Sequence, residues 1–476
     1  MKYICAIIFT SLSSLIIAQN SPTSVFQVIF GNGGFGGINN LVSPTPSTTT
    51  TTTQQVPIGV NSASTLCQLM GWFASCSGPE YEFGALKQKD KDAINNNCKG
   101  DECAHQKQVD ITCKTTLMRL STKLLVQAAN GGKPVDEIDP KVKEQFEAIM
   151  EYKKTLFQKS KLGNNIVPVD NGLVDGDVIL TTQQARILID NLKKKTGNKA
   201  EGSFRRKRSS LFFELNKNFA QKWDISNPIP YTIAEDFNAK EIESVGKGIK
   251  MITDVARCIK FKHFELSKDA SKNPYHFMYF AKNENTTACG ISDIGRVSDR
   301  PNALWLNFEG TGCLPKDMSG VIAHEIMHAL GISHMHQRVD REKYLGINWD
   351  KIDPQAYSDF IAVDPSIFST YGVPFAYDSI MLYKWNQGGR GFSTKTMEPL
   401  KGYAKNLHIM GQRTELSKSD KEILNKAYCY SQNCRDYYVN CGAWALDDMC
   451  KGLRTQDFMK SRCRKSCGYC GGTQNY

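Results

Sequence analysis

His324-Glu325-Ile326-Met327-His328-Ala329-Leu330-Gly331-Ile332-Ser333-His334 lies in a stretch, residues 318–331, that reads as a helix ending at a glycine. Residues four apart on a helix share one face, so His324 and His328 stand one turn above the other and can reach a single ion at about 2.0–2.1 Å. Glu325 points beside that ion. Gly331 permits the positive φ that ends a helix. The turn then lets His334 supply a third nitrogen from another direction. Three neutral imidazoles suit Zn2+ and leave one position open, which separates a catalytic zinc site from a closed structural one. Glu325 is the expected general base for hydrolysis of a carbonyl compound, with the proton passed on to the departing amine. A bare H-E-x-x-H arises by chance, and the competing reading is a His-rich helix without an ion. The longer H-E-x-x-H-x-x-G-x-x-H is far more restrictive.

The rest of the chain sets the context. Its 476 residues are 41% hydrophobic and 22% charged, enough for real cores in about two to four domains and too apolar for wholesale disorder. The net charge of +11 is spread along the chain, and only about +4 of it follows Arg208, so nucleic acid is not an expected partner. Sixteen cysteines point to disulfides and an oxidising compartment. Lys2, an apolar run from Tyr3 to Ile17 and Ala18 describe a secretory signal over residues 1–18. A signal anchor is the alternative, but the run is shorter than the roughly 20 residues of a membrane helix. A secreted, extracellular protein without a membrane partner is the expectation.

Residues 19–66 are low in complexity, Gly/Asn-rich at 31–37 and SPTPSTTTTTT at 43–53: an O-glycosylated tract or a bare linker. Residues 67–208 read as a propeptide region. It holds Cys67, Cys76, Cys98, Cys103 and Cys113, an odd set, followed by charged helical stretches such as FEAIMEYKKTLF. Arg205-Arg206-Lys207-Arg208 fits the R-x-K-R pattern of furin-like convertases, with Ser209 as the new N-terminus; a solvated charge cluster and a nuclear-type signal are the alternatives. Beyond it, PIPYTIAEDF and ITDVARCIKF suggest strand, helix and strand. Asn285-Thr286-Thr287 is an N-glycosylation acceptor. Residues 434–470 hold six cysteines spaced C-x6-C-x8-C-x12-C-x3-C-x2-C, a disulfide scaffold whose pairing spacing alone leaves open.

Beyond the zinc motif the chain resembles the astacin family of metzincin metalloproteases over residues 209–429. Arg338-Val339-Asp340-Arg341 is similar to the family's R-x-D-R, and Ser379-Ile380-Met381-Leu382-Tyr383 to its S-x-M-x-Y Met-turn, with Leu382 where histidine is common. Trp223…Ile229-Pro230-Tyr231, Gly411-Gln412-Arg413 and Leu416-Ser417…Asp420 match its flanks, and Asn348-Trp349-Asp350 matches a strand after the zinc helix. The resemblance implies an α+β fold, with a twisted sheet and the zinc helix in one subdomain and an irregular second subdomain. It implies zinc held by His324, His328 and His334, an apolar floor at Met381, and Tyr383 as a fifth ligand that swings to bind the oxyanion. It also implies the pairs Cys258–Cys429 and Cys289–Cys313. Val174-Asp175-Gly176-Asp177 resembles the propeptide F-x-G-D motif, with Val174 for Phe, so Asp177 is the implied latency ligand. A plain D-G-D turn, or a block by a free upstream cysteine, is the alternative. Met335 stands where astacins place a glutamate that receives the mature N-terminus, and a thioether cannot ionise. The interval from Ser209 to Trp223 is also long for that arrangement.

Cys463-Arg464-Lys465-Ser466-Cys467-Gly468-Tyr469-Cys470 resembles the end of a ShKT domain. The resemblance implies the pairs Cys434–Cys470, Cys441–Cys463 and Cys450–Cys467. The third loop, KGLRTQDFMKSR, lacks the Lys-Tyr dipeptide of channel-blocking members, which favours a module that binds protein or positions substrate. The combined reading is a secreted, convertase-activated zinc endopeptidase acting on extracellular proteins or peptides. A catalytically silent binding protein and a non-proteolytic zinc hydrolase are its rivals.

Overall fold

The structure is a computed structural model. It describes residues 83–98, 103, 140–162, 166–169, 171–194, 219–267, 270–282, 288–310, 313, 317–364, 367–391, 393–430, 434–438 and 440–470, all within one compact unit, Leu66–Tyr476. The signal segment, the low-complexity tract, Cys67, Cys76, Cys113, Arg208, Ser209 and Asn285 lie outside the described residues.

The core is a six-stranded sheet in the order β1-β5-β6-β4-β2-β3, formed by β1 (Val178–Ile179), β2 (Ile229–Ile233), β3 (Phe261–His263), β4 (Met278–Lys282), β5 (Gly290–Asp293) and β6 (Asn302–Leu306). Strands β4, β5 and β6 are buried almost throughout, as strands covered on both faces must be. All pairs are parallel except β5–β6. The expected strand, helix and strand after Asn227 are β2, α4 (Ala239–Val255) and β3. Asn238 starts α4 with a capping box, its side chain accepting from the Lys240 and Glu241 amides while Glu241 accepts from the Asn238 amide.

The zinc-motif helix α5 (Ser319–Ala329) is buried at every position and packs on α4, β5 and β6. Two glycines allow this closeness. A Cβ on Gly248 would sit 2.6 Å from Ile322 Cγ2, and one on Gly320 would sit 1.6 Å from the Arg413 carbonyl oxygen. Trp223 ties the domain's first segment to the helix end, its Nε1 donating to Ala329 O at 2.8 Å.

The upstream helices α1 (Gln88–Asn97), α2 (Pro140–Lys159) and α3 (Thr182–Lys193) lie against this body. Asn97 donates to Tyr357 Oη at 2.8 Å, Gln184 to Ile294 O at 3.0 Å, and Asn191 to Asp364 Oδ2 at 2.7 Å. Between α2 and α3, β1 adds to the β5 edge, with Val178 opposite Ser292 and Ile179 opposite Asp293. Cys98 pairs with Cys103, and no cysteine among the described residues is free.

After α5 the chain is irregular: 3-10 turns, a two-stranded sheet of β7 (Leu345–Ile347) and β8 (Met397–Pro399), then α6 (Tyr403–Ile409) and α7 (Lys418–Leu424). One expectation is corrected here. Asn348-Trp349-Asp350 is not a strand: the strand ends at Ile347, and Trp349–Lys351 turns as a 3-10 helix. Lys351 N bonds back to Asn348 O at 2.9 Å, and the turn buries the Trp349 ring beside Tyr357 and Phe360.

Disulfides Cys258–Cys429 and Cys289–Cys313 cross-link this body, and Cys434–Cys470, Cys441–Cys463 and Cys450–Cys467 staple the terminal module with α8 (Cys441–Leu446) and α9 (Gln456–Arg462). The module sits on the loop around Tyr371. Lys426 Nζ donates to Tyr371 O at 2.9 Å and Ser466 O at 3.2 Å, and Lys465 Nζ stands 4.6 Å from the Tyr371 ring centre. Gly372, at φ +71°, has no room for a Cβ against Ala445.

Candidate metal centre

His324 and His328 project from one face of α5, and each ring is held by a carbonyl. His324 Nδ1 lies 2.8 Å from Ile380 O, and His328 Nδ1 lies 2.8 Å from Ile332 O. A carbonyl only accepts, so each Nδ1 carries the proton and each Nε2 is a bare lone pair. Those two Nε2 atoms are 3.2 Å apart. Two lone pairs at that distance repel unless a cation lies between them. Burial reinforces neutrality, drawing His324 down to about 4 and His328 well below its usual range.

His334 follows the turn at Gly331, where φ is +97°. Its ring is fully buried, and neither nitrogen has a hydrogen-bond partner among the described residues. Asp177 faces the three rings: its Oδ2 is 3.3 Å from His334 Nε2 and 3.4 Å from His324 Nε2, and its Oδ1 is 3.6 Å from His328 Nε2. One donor atom from each of the four lies within 4.8 Å of every other. Orphaned buried nitrogens, facing lone pairs and a three-nitrogen, one-oxygen set fit a four-coordinate zinc ion.

The sequence around Asp177 explains its reach. Val174 and Val178 exchange backbone bonds at 2.8 and 2.9 Å, closing a tight hairpin over Asp175-Gly176-Asp177. Asp175 (φ +56°) and Gly176 (φ +78°) both take the left-handed conformation. The hairpin delivers the Asp177 carboxylate, while Asp177 O accepts from Ser292 N at 2.9 Å on the sheet edge. Burial would raise the Asp177 carboxyl, but its contacts with His334, His324 and His328 outweigh this and hold it well below the usual carboxylate range.

Glu325 is buried, and its Oε2 has no partner. Burial, and then the charge of Asp177, raise its carboxyl well above the ordinary value, with Arg413 opposing. Gly290 makes room for it, since a Cβ there would be 2.2 Å from Glu325 Oε1. Tyr383 lies across the site, its ring centre 4.7 Å from that of His334 and 4.0 Å from that of His336. Its hydroxyl donates to Asp175 O. Burial, and then Asp177, keep the phenol protonated. Met381 is fully buried one residue beyond Ile380, and its carbonyl accepts from Met335 N at 2.9 Å.

The turn carrying Met381 is pinned from α7. Asp420 accepts from Ser379 Oγ at 2.6 Å, Ile380 N at 2.9 Å and Ser417 N at 2.9 Å, so one buried carboxylate serves both the turn and the helix cap. Met335 packs against Arg338, whose Nη1 is 3.8 Å from the sulfur and whose fork bonds Asp340. Arg413, quoted from the sequence only as part of a flanking match, lies in the field of Asp177 and Glu325. Other site residues escape sequence reasoning. Desolvation pushes the half-buried Asp359 carboxyl up to about 6, and its carbonyl accepts from His336 at 3.0 Å. Gly290 carries no local signal at all. They converge from distant parts of the chain; only the fourth histidine of the cluster, His336, could have drawn attention to that side of the site.

Comparison with known proteins finds similar chains. The family model for the astacin peptidases matches residues 215–429, and "ShK domain-like" matches residues 433–470. Zinc metalloproteinase nas-10 of Caenorhabditis elegans is 36% identical over 83% of this chain and 70% of its own length. Zinc metalloproteinase nas-11 of the same organism is 36% identical over 82% of this chain and 68% of its own. The solved high choriolytic enzyme 1, a hatching enzyme zinc-protease from Oryzias latipes, is 27% identical over 45% of this chain and 94% of its own, with a TM-score of 0.37. The chain therefore belongs to the astacin family of peptidases: it is a zinc metalloendopeptidase with a disulfide-rich ShK module at its C-terminal side.

Proposed function

We propose that this chain is the secreted zymogen of an extracellular endopeptidase, held latent by Asp177 and released by a furin-like cut between Arg208 and Ser209. The observation that carries the reading is the Asp177 carboxylate placed against the Nε2 atoms of His324, His328 and His334. A carboxylate is a good zinc ligand, so Asp177 would hold zinc together with the three imidazoles, in the place of a water. The same hairpin occupies the Tyr383 hydroxyl and covers the β5 edge, so one segment blocks three elements of the cleft.

With the hairpin gone, His324, His328 and His334 would hold a zinc ion. Zinc, when bound, would supply Lewis acidity and lower the pKa of a bound water to about 7. Glu325, whose buried Oε2 has no partner among the described residues, would take the water proton and return it to the leaving amine. Tyr383, kept protonated, donates a hydrogen bond to the oxyanion of the attacked carbonyl. Met381 closes the floor beneath the rings. Substrates are proteins or peptides. The ShK module binds substrate or another partner, and Asn285 is the glycan acceptor of the catalytic domain.

The test is secretion of the full chain from cells, convertase treatment, N-terminal sequencing and peptide-library cleavage. Ser209 as the new N-terminus together with appearing activity supports the reading. Glu325→Gln should lower turnover by about 10²–10⁴-fold with zinc retained. Unchanged turnover in that variant sinks the assignment of the base.

A further inference from the structure

The ShK module carries a surface that the peptidase reading does not use. Asp436 and Cys463 form an antiparallel bridge, and Tyr437 N donates to Arg462 O at 2.8 Å. Asp436 turns inward, accepting from Ser466 N at 3.0 Å and Ser466 Oγ at 2.6 Å, and Cys463, which follows the last residue of α9, is buried in its disulfide. Their neighbours Arg435, Tyr437, Arg462 and Arg464 are all exposed. The Arg435 guanidinium is 4.7 Å from the Tyr437 ring centre and that of Arg462 is 5.6 Å from it, while Arg435 Nη2 is 3.5 Å from Tyr437 Oη. Arg435, Arg462 and Arg464 together pull the exposed phenol below its ordinary value, so three positive fields meet at this one side chain.

Among the described residues no carboxylate pairs with any of these guanidiniums, and the nearest acid in the bridge, Asp436, is turned away onto Ser466. Clustered, unneutralised like charges repel, and a polyanion removes that repulsion on binding. The fork of a guanidinium matches oxyanions in two-point fashion, which a lysine ammonium does not. Exposed Lys460, with its Nζ 5.9 Å from the Tyr469 ring, extends the positive surface. Tyr437 is the exposed aromatic of the patch, 51% accessible, and offers ring surface to a sugar. A peptide partner would ask for buried apolar anchors, which an arginine-rimmed surface with one half-exposed ring does not offer.

We infer that Arg435, Tyr437, Arg462 and Arg464 form a binding site for a sulfated polysaccharide, so that the ShK module anchors the enzyme to sulfated matrix. The inference does not depend on the latency reading or on catalysis. Its test is isothermal titration of the full chain with a size-fractionated heparin oligosaccharide, at low and at physiological salt. The comparison ligands are desulfated heparin, polyglutamate and phosphatidylserine vesicles. The expected result is salt-sensitive binding to heparin that desulfation abolishes. Arg462→Ala with Arg464→Ala should weaken it by about tenfold or more, since two charge-assisted contacts are lost. Lys247→Ala with Lys250→Ala, an equal loss of charge on the catalytic domain, should change it less than about twofold, as the net field alone is a minor term. Peptide cleavage by the activated form should be unchanged in both. Equal weakening by the two double variants, no binding to heparin, or equally tight binding to polyglutamate or to the vesicles would overturn the proposal.

Discussion

Tyr383 donates its phenolic hydrogen bond to the carbonyl oxygen of Asp175, two residues before the carboxylate that faces His324, His328 and His334. The residue proposed to bind the oxyanion is thus occupied by the segment proposed to fill the metal site. Tyr383→Phe removes only the hydroxyl. In the activated enzyme it should lower kcat by about 10²–10³-fold, the usual loss for one oxyanion donor. KM and zinc content should stay close to wild type. Steady-state kinetics with metal analysis decides this, and a fall confined to KM would remove Tyr383 from the transition state.

Asp177→Ala should give an uncut chain with measurable peptidase activity. Loss of one charge-assisted ligand weakens the hairpin's hold by about ten- to a hundredfold. Backbone pairing at β5 and the side-chain contacts of Asn97, Gln184 and Asn191 remain, so activity should stay below that of the cut form. The assay is cleavage of a small peptide by a chain in which Arg208 has been removed. No gain over the parent would place latency elsewhere.

Gly290→Ala tests the space around Glu325, the proposed general base. The added methyl meets Glu325 Oε1 at 2.2 Å, so the carboxylate must move. A displacement of about 1 Å at a catalytic group commonly costs on the order of 10²-fold in rate. Folding should lose about 1–3 kcal/mol from overpacking. Turnover and thermal denaturation on the same sample separate the two effects.

Removing the ion with a chelator should abolish cleavage and lower the melting temperature. The metal-free state keeps two buried Nε2 lone pairs 3.2 Å apart with nothing between them. Added zinc should restore both signals, because a ligand that binds only the folded state stabilises it by mass action. Activity that survives complete loss of zinc would contradict the site.

Cys258→Ser with Cys429→Ser opens a loop whose ends are 171 residues apart. The chain-entropy model assigns such a bridge about 4–5 kcal/mol. The double variant should therefore show a large drop in denaturation midpoint. The effect should exceed that of opening Cys289–Cys313, with a separation of 24.

The zinc helix is legible in sequence because its signals are local: i,i+4 histidines on one face and a glycine where φ must turn positive. The strand-helix-strand run from Ile229 to His263 is legible for the same reason, with its period and cap written in adjacent residues. Asn348-Trp349-Asp350 misleads because burial of one large ring outweighs extended propensity there. Asp359 and Gly290 are illegible for a different reason. Each acts through a neighbour far along the chain, and nothing beside them in sequence marks that meeting.

The pairing of β1 with β5 has a consequence for activation. While the chain is whole, the blocking strand is tethered to its groove and competes at the high effective concentration of an intramolecular partner, up to about millimolar. The proposed cut at Arg208 would turn it into an independent inhibitor that can diffuse away. Latency then ceases to be a property of the chain and becomes a property of its dilution. Freshly cut enzyme should therefore wake only in part, to a fraction that rises as the solution is made more dilute, because scission grants the prosegment leave to go and dissociation completes the activation.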